Sequence, residues 1–353
     1  MSMIEERVDI LSMELPELTR WTVNLGYPAF RAKQLFSWMY KGVAVEEMNN
    51  LPADFRRAVA ENALYTLPFI EQKQVSSIDG TIKYLFRLHD GQFVESVVMD
   101  YEHGTSICIS SQAGCRMGCK FCASTLHGKD RDLLPSELLG QVLVAQKDCG
   151  RRISSLVMMG IGEPLDNYDN VIRFLRLITS ENGLNLGARH ISLSTCGLVD
   201  KIYRLAEENL QITLSISLHA YDDATRSAVM PVNNKWNIDS LLTACACYFQ
   251  KTGRRISFEY TLISGVNDDV EGAKKLAALL HRYMKDMPLH VNLIPVNPVV
   301  ERGFDRSSKE RVEQFKKTLI ANRVNATVRR KLGSDIDASC GQLRHKKRGE
   351  ECI

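Results

Sequence analysis

From Thr105 onward, short β-rich runs alternate with amphipathic helical stretches, and this alternation restricts the fold more than any other feature of the chain. The runs begin about 21 to 48 residues apart, the length that a right-handed crossover through a helix requires. Six such units without a tandem repeat predict an α/β chain that forms a partial (β/α)6 barrel, with an open doubly wound sheet as the alternative. The expected strands lie near residues 106–111, 154–159, 190–195, 211–218, 255–263, 289–295 and 326–330.

The first hundred residues follow a different pattern. Residues 1–70 are predicted to be helical, because the stretch Ala29–Tyr40 carries its apolar residues close to one helical face and Pro52 opens the next segment. Residues 81–99 predict a β-hairpin around an Asp90-Gly91 turn. We therefore expect four parts: a helical accessory domain over 1–75, a β-hairpin connection over 76–100, a barrel over 101–334, and a C-terminal loop with a basic tail over 335–353.

The composition restricts the class of protein. Of the 353 residues, 44% are apolar and 25% are charged, close to the average for soluble globular chains. No apolar run reaches the roughly 18 to 20 residues that span a bilayer, and the N-terminus lacks a basic stretch followed by an apolar one, so we expect a cytoplasmic protein without a membrane anchor. Ten cysteines are too few for a disulfide scaffold, and clustered cysteines in such a chain indicate metal or redox chemistry.

The strongest chemical signal is Cys115-Arg-Met-Gly-Cys119-Lys-Phe-Cys122, which follows the first expected barrel strand at the end where β/α barrels build active sites. Three thiolates can hold three irons of a 4Fe–4S cluster and leave the fourth iron open. The amino and carboxylate groups of an amino acid can chelate that iron, and the spacing resembles that of radical S-adenosylmethionine (SAM) enzymes. The alternative is a zinc site with Cys108 as the fourth ligand, although zinc sites usually pair two separate cysteine halves.

Further candidate residues lie where the later strands end. In Met158–Pro164, Gly162 lets a ligand approach the backbone and Glu163 can accept a hydrogen bond from a cationic amino group. Each of the remaining positions could be a satisfied turn or core group, but their joint placement at strand ends predicts one shared site. These positions are Ser194-Thr195, Ser217-Leu218-His219 and Asn297.

Two cysteines outside the triplet have a context of their own. Cys340 follows the last strand, in the Gly- and Asp-containing loop Asp335–Leu343, although a lone cysteine is often a small buried hydrophobe. Cys108 lies seven residues before Cys115 and is either a core strand residue or a thiol directed at the same mouth of the barrel.

Taken together, the motifs resemble the RlmN/Cfr family of radical SAM RNA methyltransferases. The resemblance covers nearly the whole chain, because Arg31–Tyr40 is similar to part of the N-terminal helical domain of that family. Several motifs in the same order make it more specific than the cysteine triplet alone. They are Ser110–Cys122, Met159–Pro164, Ser217–Ala220, Leu293–Pro298 and Asp335–Leu343.

The resemblance assigns roles residue by residue. It implies that Cys340 carries a methyl group as S-methylcysteine, that Cys108 is its resolving partner in a transient disulfide, and that Glu95 is the proton acceptor. Without the resemblance, Glu95 would be an ordinary hairpin carboxylate. The implied ligands of the 4Fe–4S cluster are Cys115, Cys119 and Cys122, and the implied SAM contacts are Gly162, Glu163, Ser194, Ser217, Leu218, His219 and Asn297.

The implied activity is methylation of carbon 2 of an adenine in 23S rRNA and in some tRNAs, with two SAM molecules per turnover. A Cfr-like activity on carbon 8 of the rRNA adenine, which gives antibiotic resistance, is the alternative. Ala113 and the stretch Ala123–Thr125 are more similar to the RlmN branch. The resemblance also implies an electron donor such as flavodoxin and a thiol reductant, and we expect a monomer. A zinc-stabilised RNA-binding module and a radical SAM enzyme for a small metabolite are the other classes considered.

The charge distribution agrees with an RNA partner. The last 53 residues hold 14 Lys and Arg against 8 Asp and Glu, and a basic end favours a polyanion, although a solvated tail gives the same pattern. Within 329–348, we expect phosphate contacts from side chains such as Arg344, Lys346 and Lys347. A second candidate RNA surface lies in the helical domain, where the alternative is a small helical core that contains Phe36. Its residues are Arg31, Lys33, Trp38 and Lys41.

Overall fold

The computed structural model describes residues 7–285, 287–297, 299–336, 341, 343–345 and 347. Its N-terminal part is mainly helical, as predicted, and Phe36 and Met39 are fully buried in it. The first and last strands of this part form a two-residue parallel pair, which the helical prediction missed because so short a strand shows no alternation. The elements are β1 (Val8–Asp9), α1 (Leu15–Asn24), α2 (Phe30–Met39), α3 (Ala53–Asn62) and β2 (Ala63–Leu64).

Three antiparallel strands come next. The predicted hairpin is present as β4 (Ile82–Arg87) and β5 (Phe93–Tyr101), and it turns at Asp90-Gly91. An additional strand, β3 (Phe69–Val75), pairs with β4 and was not predicted. Its burial pattern is mostly exposed or half-exposed, since it is the edge strand of the sheet.

The first parallel strand is followed by a small ribbon. Strand β6 (Gly104–Cys108) pairs with β5, and β7 (Gln112–Gly114) pairs antiparallel with β8 (Lys129–Asp132) in a separate two-stranded sheet. The cysteine triplet lies in the loop between β7 and β8, so this ribbon holds both ends of the loop.

Strands and helices then alternate, and the seven predicted parallel strands are all found in the described part of the chain, within three residues of their expected bounds. After β6 they are β9 (Ile153–Met158), β10 (Ile191–Thr195), β11 (Thr213–Ser217), β12 (Ile256–Leu262), β13 (Leu289–Pro295) and β14 (Ala326–Val328). The connecting helices are α4 (Pro135–Cys149), α5 (Tyr168–Thr179), α6 (Val199–Glu207), α7 (Asp223–Val229), α8 (Ile238–Thr252), α9 (Val270–Tyr283) and α10 (Lys309–Ala321).

The strand order distinguishes between the two expected folds. Neighbouring parallel strands follow the sequence from β6 to β14 without a reversal. A doubly wound sheet reverses its order at a switch point, so the partial barrel is confirmed. The barrel is open because β6 pairs with β5 on one side and β9 on the other, which leaves no edge for β14. All the parallel strands therefore present their carboxyl ends on one side.

The polar residues before the later helices explain where those helices begin. Side chains of Asp222, Asn237, Asp269 and Ser308 each accept a hydrogen bond from a backbone N–H in the first turn of α7, α8, α9 and α10. Within the residues that the structure describes, every helix is too short or too polar to cross a bilayer.

Candidate active site

Two adjacent cavities open at the carboxyl ends of the parallel strands. The smaller, here called the cysteine cavity, has a volume of about 210 Å³ and is lined by the cysteine triplet and the loops after β9, β10 and β11. The larger, here called the hairpin cavity, has a volume of about 430 Å³ and is lined by β5, the end of β6 and the chain after β14. The cavities share four wall residues, so that a ligand in one lies beside a ligand in the other. These are Met159, Gly160, Ile294 and Arg329.

The cysteine loop is held by its backbone and by one threonine. The N–H of Cys115 donates to the carbonyl of Gly128 across the ribbon at 2.8 Å. The Thr125 hydroxyl donates to the carbonyls of Cys119 and Cys122, at 3.0 Å each. The loop therefore keeps its shape through main-chain contacts and leaves its thiols to line the cavity.

The three thiols fit a multi-iron cluster. Burial raises the pKa of Cys115 to about 12, and burial together with the two neighbouring thiols raises the pKa of Cys119 well above its usual value. Thiolates at this position therefore need a cation beside them. In the described part of the chain, no three His, Cys, Asp or Glu side chains form a group that could hold a single metal ion. A 4Fe–4S cluster makes a different demand, because its three thiolates bind three separate irons.

The turn after β9 packs against Gln112 of β7, the strand that leads into the cysteine loop. Gly162 has φ of +107°, and a Cβ there would lie 2.7 Å from both the Cβ and the backbone N of Gln112, so that only glycine fits. The Glu163 carboxylate is buried and accepts the N–H groups of Cys196 at 2.7 Å and Leu165 at 3.0 Å. Burial raises its pKa in spite of these bonds. Glu163 thus lines the cavity and also joins the loop after β10 to its own turn.

The other expected SAM contacts divide between the cavities. Ser194, Ser217 and His219 line the cysteine cavity with Gly162 and Glu163. Leu218 has a fully buried side chain and does not line it. Asn297 lines the hairpin cavity instead.

His219 is held as a neutral ring. Burial lowers its pKa to about 3. Its Nδ1 accepts the N–H of Thr261 at 2.8 Å, and its edge meets the ring of Phe121 in the cysteine loop, with ring centroids 4.9 Å apart. His219 therefore supports the cysteine loop from the end of β11.

The hairpin cavity contains two of the three residues that were expected to act on substrate. Cys108 and Glu95 both line it, and Cys340 lies outside the described residues. Burial raises the pKa of the Cys108 thiol, while the positive charge of Arg329 opposes this effect. Glu95 is buried and forms an ion pair with Lys83, with Oε2 2.8 Å from Nζ. It is therefore unlike the ordinary hairpin carboxylate that its position alone would predict.

Similarity to known proteins decides the family. Residues 109–277 match the family model of the Radical SAM superfamily, and residues 8–64 match the ribosomal RNA large subunit methyltransferase N-terminal domain. A probable dual-specificity RNA methyltransferase RlmN from Clostridium botulinum (strain Eklund 17B / Type B) is 52% identical over 337 residues, which cover 95% of this chain and 96% of that protein. The chain belongs to the RlmN family of radical SAM RNA methyltransferases.

A solved structure agrees with the RlmN assignment. A radical SAM methyltransferase from Sphaerobacter thermophilus matches with a TM-score of 0.90 and 42% identity, covering 95% of this chain and 98% of that one. A relative from Lachnospira eligens, also a probable dual-specificity RNA methyltransferase RlmN, is 51% identical over 340 residues, or 96% of each chain. Membership in the RlmN family excludes both a non-catalytic zinc module and an enzyme for a small metabolite. The radical SAM superfamily implies a 4Fe–4S cluster and SAM as cofactors.

Sequence reasoning missed a buried arginine beside the site. Arg226 is fully buried, and its guanidinium donates to the carbonyls of Cys196 at 2.6 Å, Ser217 at 3.1 Å and Leu218 at 3.1 Å. A fourth bond, at 3.0 Å, goes to the side chain of Asn233. Arg226 thus ties the ends of β10 and β11 together. A single arginine in an amphipathic helix gives no signal of this kind in the sequence.

The structure also corrects the expectation for the basic end. Arg344 is buried and pairs with Asp130 at 2.6 Å, so its guanidinium is not available to a phosphate. Lys347 lies 3.4 Å from Glu71, and Lys346 lies outside the described residues. The basic residues that line the hairpin cavity are Arg306, Arg329, Arg330 and Lys331.

Proposed function

We propose that this RlmN-family enzyme methylates carbon 2 of an adenine in 23S rRNA and in the anticodon loop of some tRNAs, through a methylated Cys340. The observation that carries the proposal is the common wall of the two cavities. The cysteine cavity contains the thiols, glycine turn and serines suited to a cluster and SAM, and the hairpin cavity contains Glu95 and Cys108. Substrate and cofactor can therefore meet across Met159 and Gly160.

Cys115, Cys119 and Cys122 are the residues that would hold the cluster, and Gly162, Glu163, Ser194, Ser217 and His219 would surround SAM. A cluster held there would supply the electron for reductive cleavage of SAM. His219 accepts the N–H of Thr261, and the Glu163 carboxylate accepts the N–H of Cys196. These hydrogen bonds keep the walls of this cavity fixed. Preorganised walls of this kind orient a cofactor and exclude water from a reactive carbon centre.

The thiols act in sequence in the proposed reaction. The Cys340 thiolate takes the methyl group from the sulfonium of one SAM by displacement. One hydrogen atom of this methyl group would pass to the 5′-deoxyadenosyl group of a second SAM, so that its carbon can bond to the adenine ring, and one electron would return to the cluster. Glu95 takes the ring proton. The Cys108 thiolate then attacks the sulfur of Cys340, so that a disulfide forms while the sulfur–carbon bond to RNA breaks; its electron pair stays with the carbon, which takes up a proton to become the methyl group. A thiol reductant reopens the disulfide.

The hairpin cavity can receive only a base that has left its helix, so a loop or locally unfolded RNA is the expected substrate. The exposed side chains of Arg330 and Lys331 lie on the same cavity as Glu95 and are suited to the flanking phosphates. In the helical domain, Lys33 and Lys41 are exposed, and the Lys41 ammonium lies 3.9 Å from the centre of the Trp38 ring. This second surface could contact RNA farther from the target base.

Mass spectrometry of nuclease-digested RNA tests the proposal. The anaerobically reconstituted protein is incubated with SAM, a flavodoxin reducing system, a thiol reductant and either 23S rRNA or tRNA. We expect 2-methyladenosine in both RNAs. Formation of 8-methyladenosine in rRNA instead would assign the chain to the Cfr-like activity, and no methylated adenosine in either RNA would overturn the proposal. We expect a monomer in the cytoplasm, as the sequence suggested.

A further inference from the structure

Glu95 and Lys83 form a buried ion pair that faces the end of the chain. In the β4–β5 ladder, Glu95 lies opposite Leu85, so Lys83 is its diagonal neighbour on the same face of the sheet. The Lys83 side chain is 0% exposed and that of Glu95 is 2% exposed. A buried pair of charges is costly unless further hydrogen bonds complete it. The other groups that donate hydrogen bonds to the Glu95 carboxylate therefore show which segment of the chain the pair holds in place.

Those donors belong to the carboxyl-terminal segment, defined here as residues 341, 343–345 and 347. The N–H of Gly341 donates to Oε2 of Glu95 at 2.7 Å, and the N–H of Arg344 donates to Oε1 at 2.7 Å. Both oxygens of Glu95 thus accept main-chain bonds from this segment. The Gly341 nitrogen is part of the peptide that joins it to Cys340, so this carboxylate holds the residue directly after the expected methyl carrier.

The carboxyl-terminal segment also packs against apolar side chains on the same face of the hairpin. Leu343 is 3% exposed and packs in one cluster with Leu85 and Phe93. Phe93 and Glu95 are alternate residues of β5, and Leu85 is the ladder partner of Glu95. The segment therefore rests on a platform that the β4–β5 hairpin makes from one carboxylate and two apolar side chains.

The other side of the segment touches the cysteine loop. Gly341 has φ of +79°, and a Cβ added there would lie 2.7 Å from the Ser124 hydroxyl and 2.9 Å from its backbone N. Only glycine allows this approach. His345 is held at 2.9 Å from His127 and at 2.8 Å from Glu301. The carboxyl-terminal segment is therefore clamped between the hairpin and the loop that carries the cysteine triplet.

We propose that the Glu95–Lys83 pair is the docking site for the carboxyl-terminal segment, and that Lys83 is a positioning residue for Cys340 that acts through Glu95. This proposal deepens the proposed function, on which the role of Cys340 rests. Glu95 then has two tasks, since the carboxylate that faces substrate also fixes the neighbour of the methyl carrier. Lys83 holds the carboxylate where two N–H groups can reach it.

The negative charge of the Glu95 carboxylate is the reason why it holds the carboxyl-terminal segment. An N–H bond to a carboxylate is about twice as strong as one to a neutral acceptor. A neutral group at position 95 would keep the shape of the contact and weaken both bonds to the segment. Loss of the Lys83 ammonium would leave a buried carboxylate without its adjacent cation, which favours a move of Glu95 toward water and away from the segment.

Hydrogen exchange followed by mass spectrometry on the cluster-loaded full chain, with SAM and without RNA, tests the docking. The variants are Glu95→Gln and Lys83→Met, each close in size to the natural side chain. We expect exchange of the amides in peptide 341–347 to become about tenfold faster or more in both, because one charge-assisted bond already accounts for a change of that size. The matched control is Lys73→Met on the neighbouring strand β3, which removes a half-exposed ion pair with Asp148 of α4 and should leave this peptide unchanged.

Iron content and circular dichroism establish that each variant is folded, and Lys83→Arg, which keeps the charge, should restore most of the protection. A mass increase of one methyl group on the peptide containing Cys340, after incubation with SAM and reductant, gives a second readout that should fall in Glu95→Gln and Lys83→Met. Unchanged exchange in both variants would overturn the docking site. If exchange rises as expected while wild-type protein makes no methylated adenosine, the docking stands and the proposed function fails.

Discussion

The two cavities differ in how the chain builds them. The cysteine cavity is made from loops that directly follow successive parallel strands, so its residues come from short motifs at the ends of β9, β10 and β11 and from one cysteine loop. The hairpin cavity combines residues from the antiparallel hairpin, the end of β6 and the chain after β14. The first arrangement follows from the barrel alone, whereas the second requires parts of the chain more than 200 residues apart to meet, as in the bond from Gly341 to Glu95.

This difference indicates a division of work. A cavity built from strand-end loops is available to any barrel of this type and suits the cofactor chemistry that the superfamily shares. A cavity built from a hairpin outside the barrel and from the chain after the last strand is not part of the barrel motif, and in the proposed function it receives the substrate. Variants in the two cavities should therefore fail in different ways.

The largest effect is expected in the cysteine cavity. Cys115→Ala, Cys119→Ala and Cys122→Ala should each lose most of the bound iron and all SAM cleavage, because a cluster then keeps only two of its three thiolates. Iron and sulfide assays and the brown absorbance of anaerobic protein measure this. The matched control is Cys245→Ala, a fully buried core cysteine in α8, which should keep its iron. Normal cluster content in all three variants would disprove the ligand assignment.

A variant in the hairpin cavity should stop the reaction at a later step. Cys108→Ala should keep its cluster and still attach RNA to Cys340, but it lacks the thiol that breaks the bond. We expect a covalent protein–RNA species, seen as a shifted band on a denaturing gel of protein from cells. Cys340→Ala and the double variant Cys108→Ala/Cys340→Ala serve as controls and should show no such band. If Cys108→Ala turns over normally without an adduct, Cys108 is a packing residue of β6.

The same contrast explains which parts of the molecule the sequence could predict. All seven parallel strands and the hairpin were predicted, because each carries a local apolar pattern. The cysteine loop and the Gly162-Glu163 turn were also accessible, since their chemistry lies in adjacent residues. The burial of the Lys83–Glu95 pair and of Arg344 was not, because the Glu95 carboxylate and the Arg344 guanidinium each bond to a segment more than 200 residues away in the sequence. Asn297, which the resemblance implies as a SAM contact, lines the hairpin cavity, and its role stays a prediction.

A variant of Arg226 should disturb the cysteine cavity indirectly, because Arg226 ties together the ends of β10 and β11. Arg226→Met leaves three buried carbonyls without their donor, and we expect a loss of about 3 kcal/mol or more in the free energy of unfolding, measured with urea under anaerobic conditions. The matched control is Arg204→Met, which removes an exposed pair with Asp169 and should cost less than about 1 kcal/mol. A loss as small as that of the control would show that the strand ends do not depend on Arg226.

His219 should make part of the stability depend on pH. Its pKa is lowered from 6.5 to about 3 by burial, so the unfolded chain binds a proton between these values and the folded chain does not. Its contribution is constant above pH 6.5 and falls as the pH drops toward 3, by up to about 1.4 kcal/mol per pH unit. Between pH 7 and 5, the wild-type protein should lose about 2 kcal/mol more than His219→Asn, as measured by urea unfolding. Equal losses would mean that His219 titrates normally.

The smallest effect is expected at the rim of the hairpin cavity, where Arg330 and Lys331 are exposed. Cations that bind phosphates release counterions from the RNA, so neutralising both residues to Gln should weaken RNA binding and flatten its dependence on salt. The logarithmic slope should fall by at most about 0.7 to 0.9 for each phosphate that the variant no longer neutralises. Binding of a single-stranded RNA loop at several salt concentrations measures the slope.

The matched control for that measurement is the neighbouring lysine pair Lys316→Gln/Lys317→Gln, which has the same charge change on α10, away from the cavity lining. Lys347→Gln tests whether the basic residues at the carboxyl end contact RNA. Because Lys347 already lies beside Glu71, its loss should change the slope less than the loss of an exposed rim residue does. If both α10 lysines and the rim residues change the slope equally, RNA binds through general positive charge. If only the rim residues change it, the hairpin cavity is where the RNA backbone meets the enzyme.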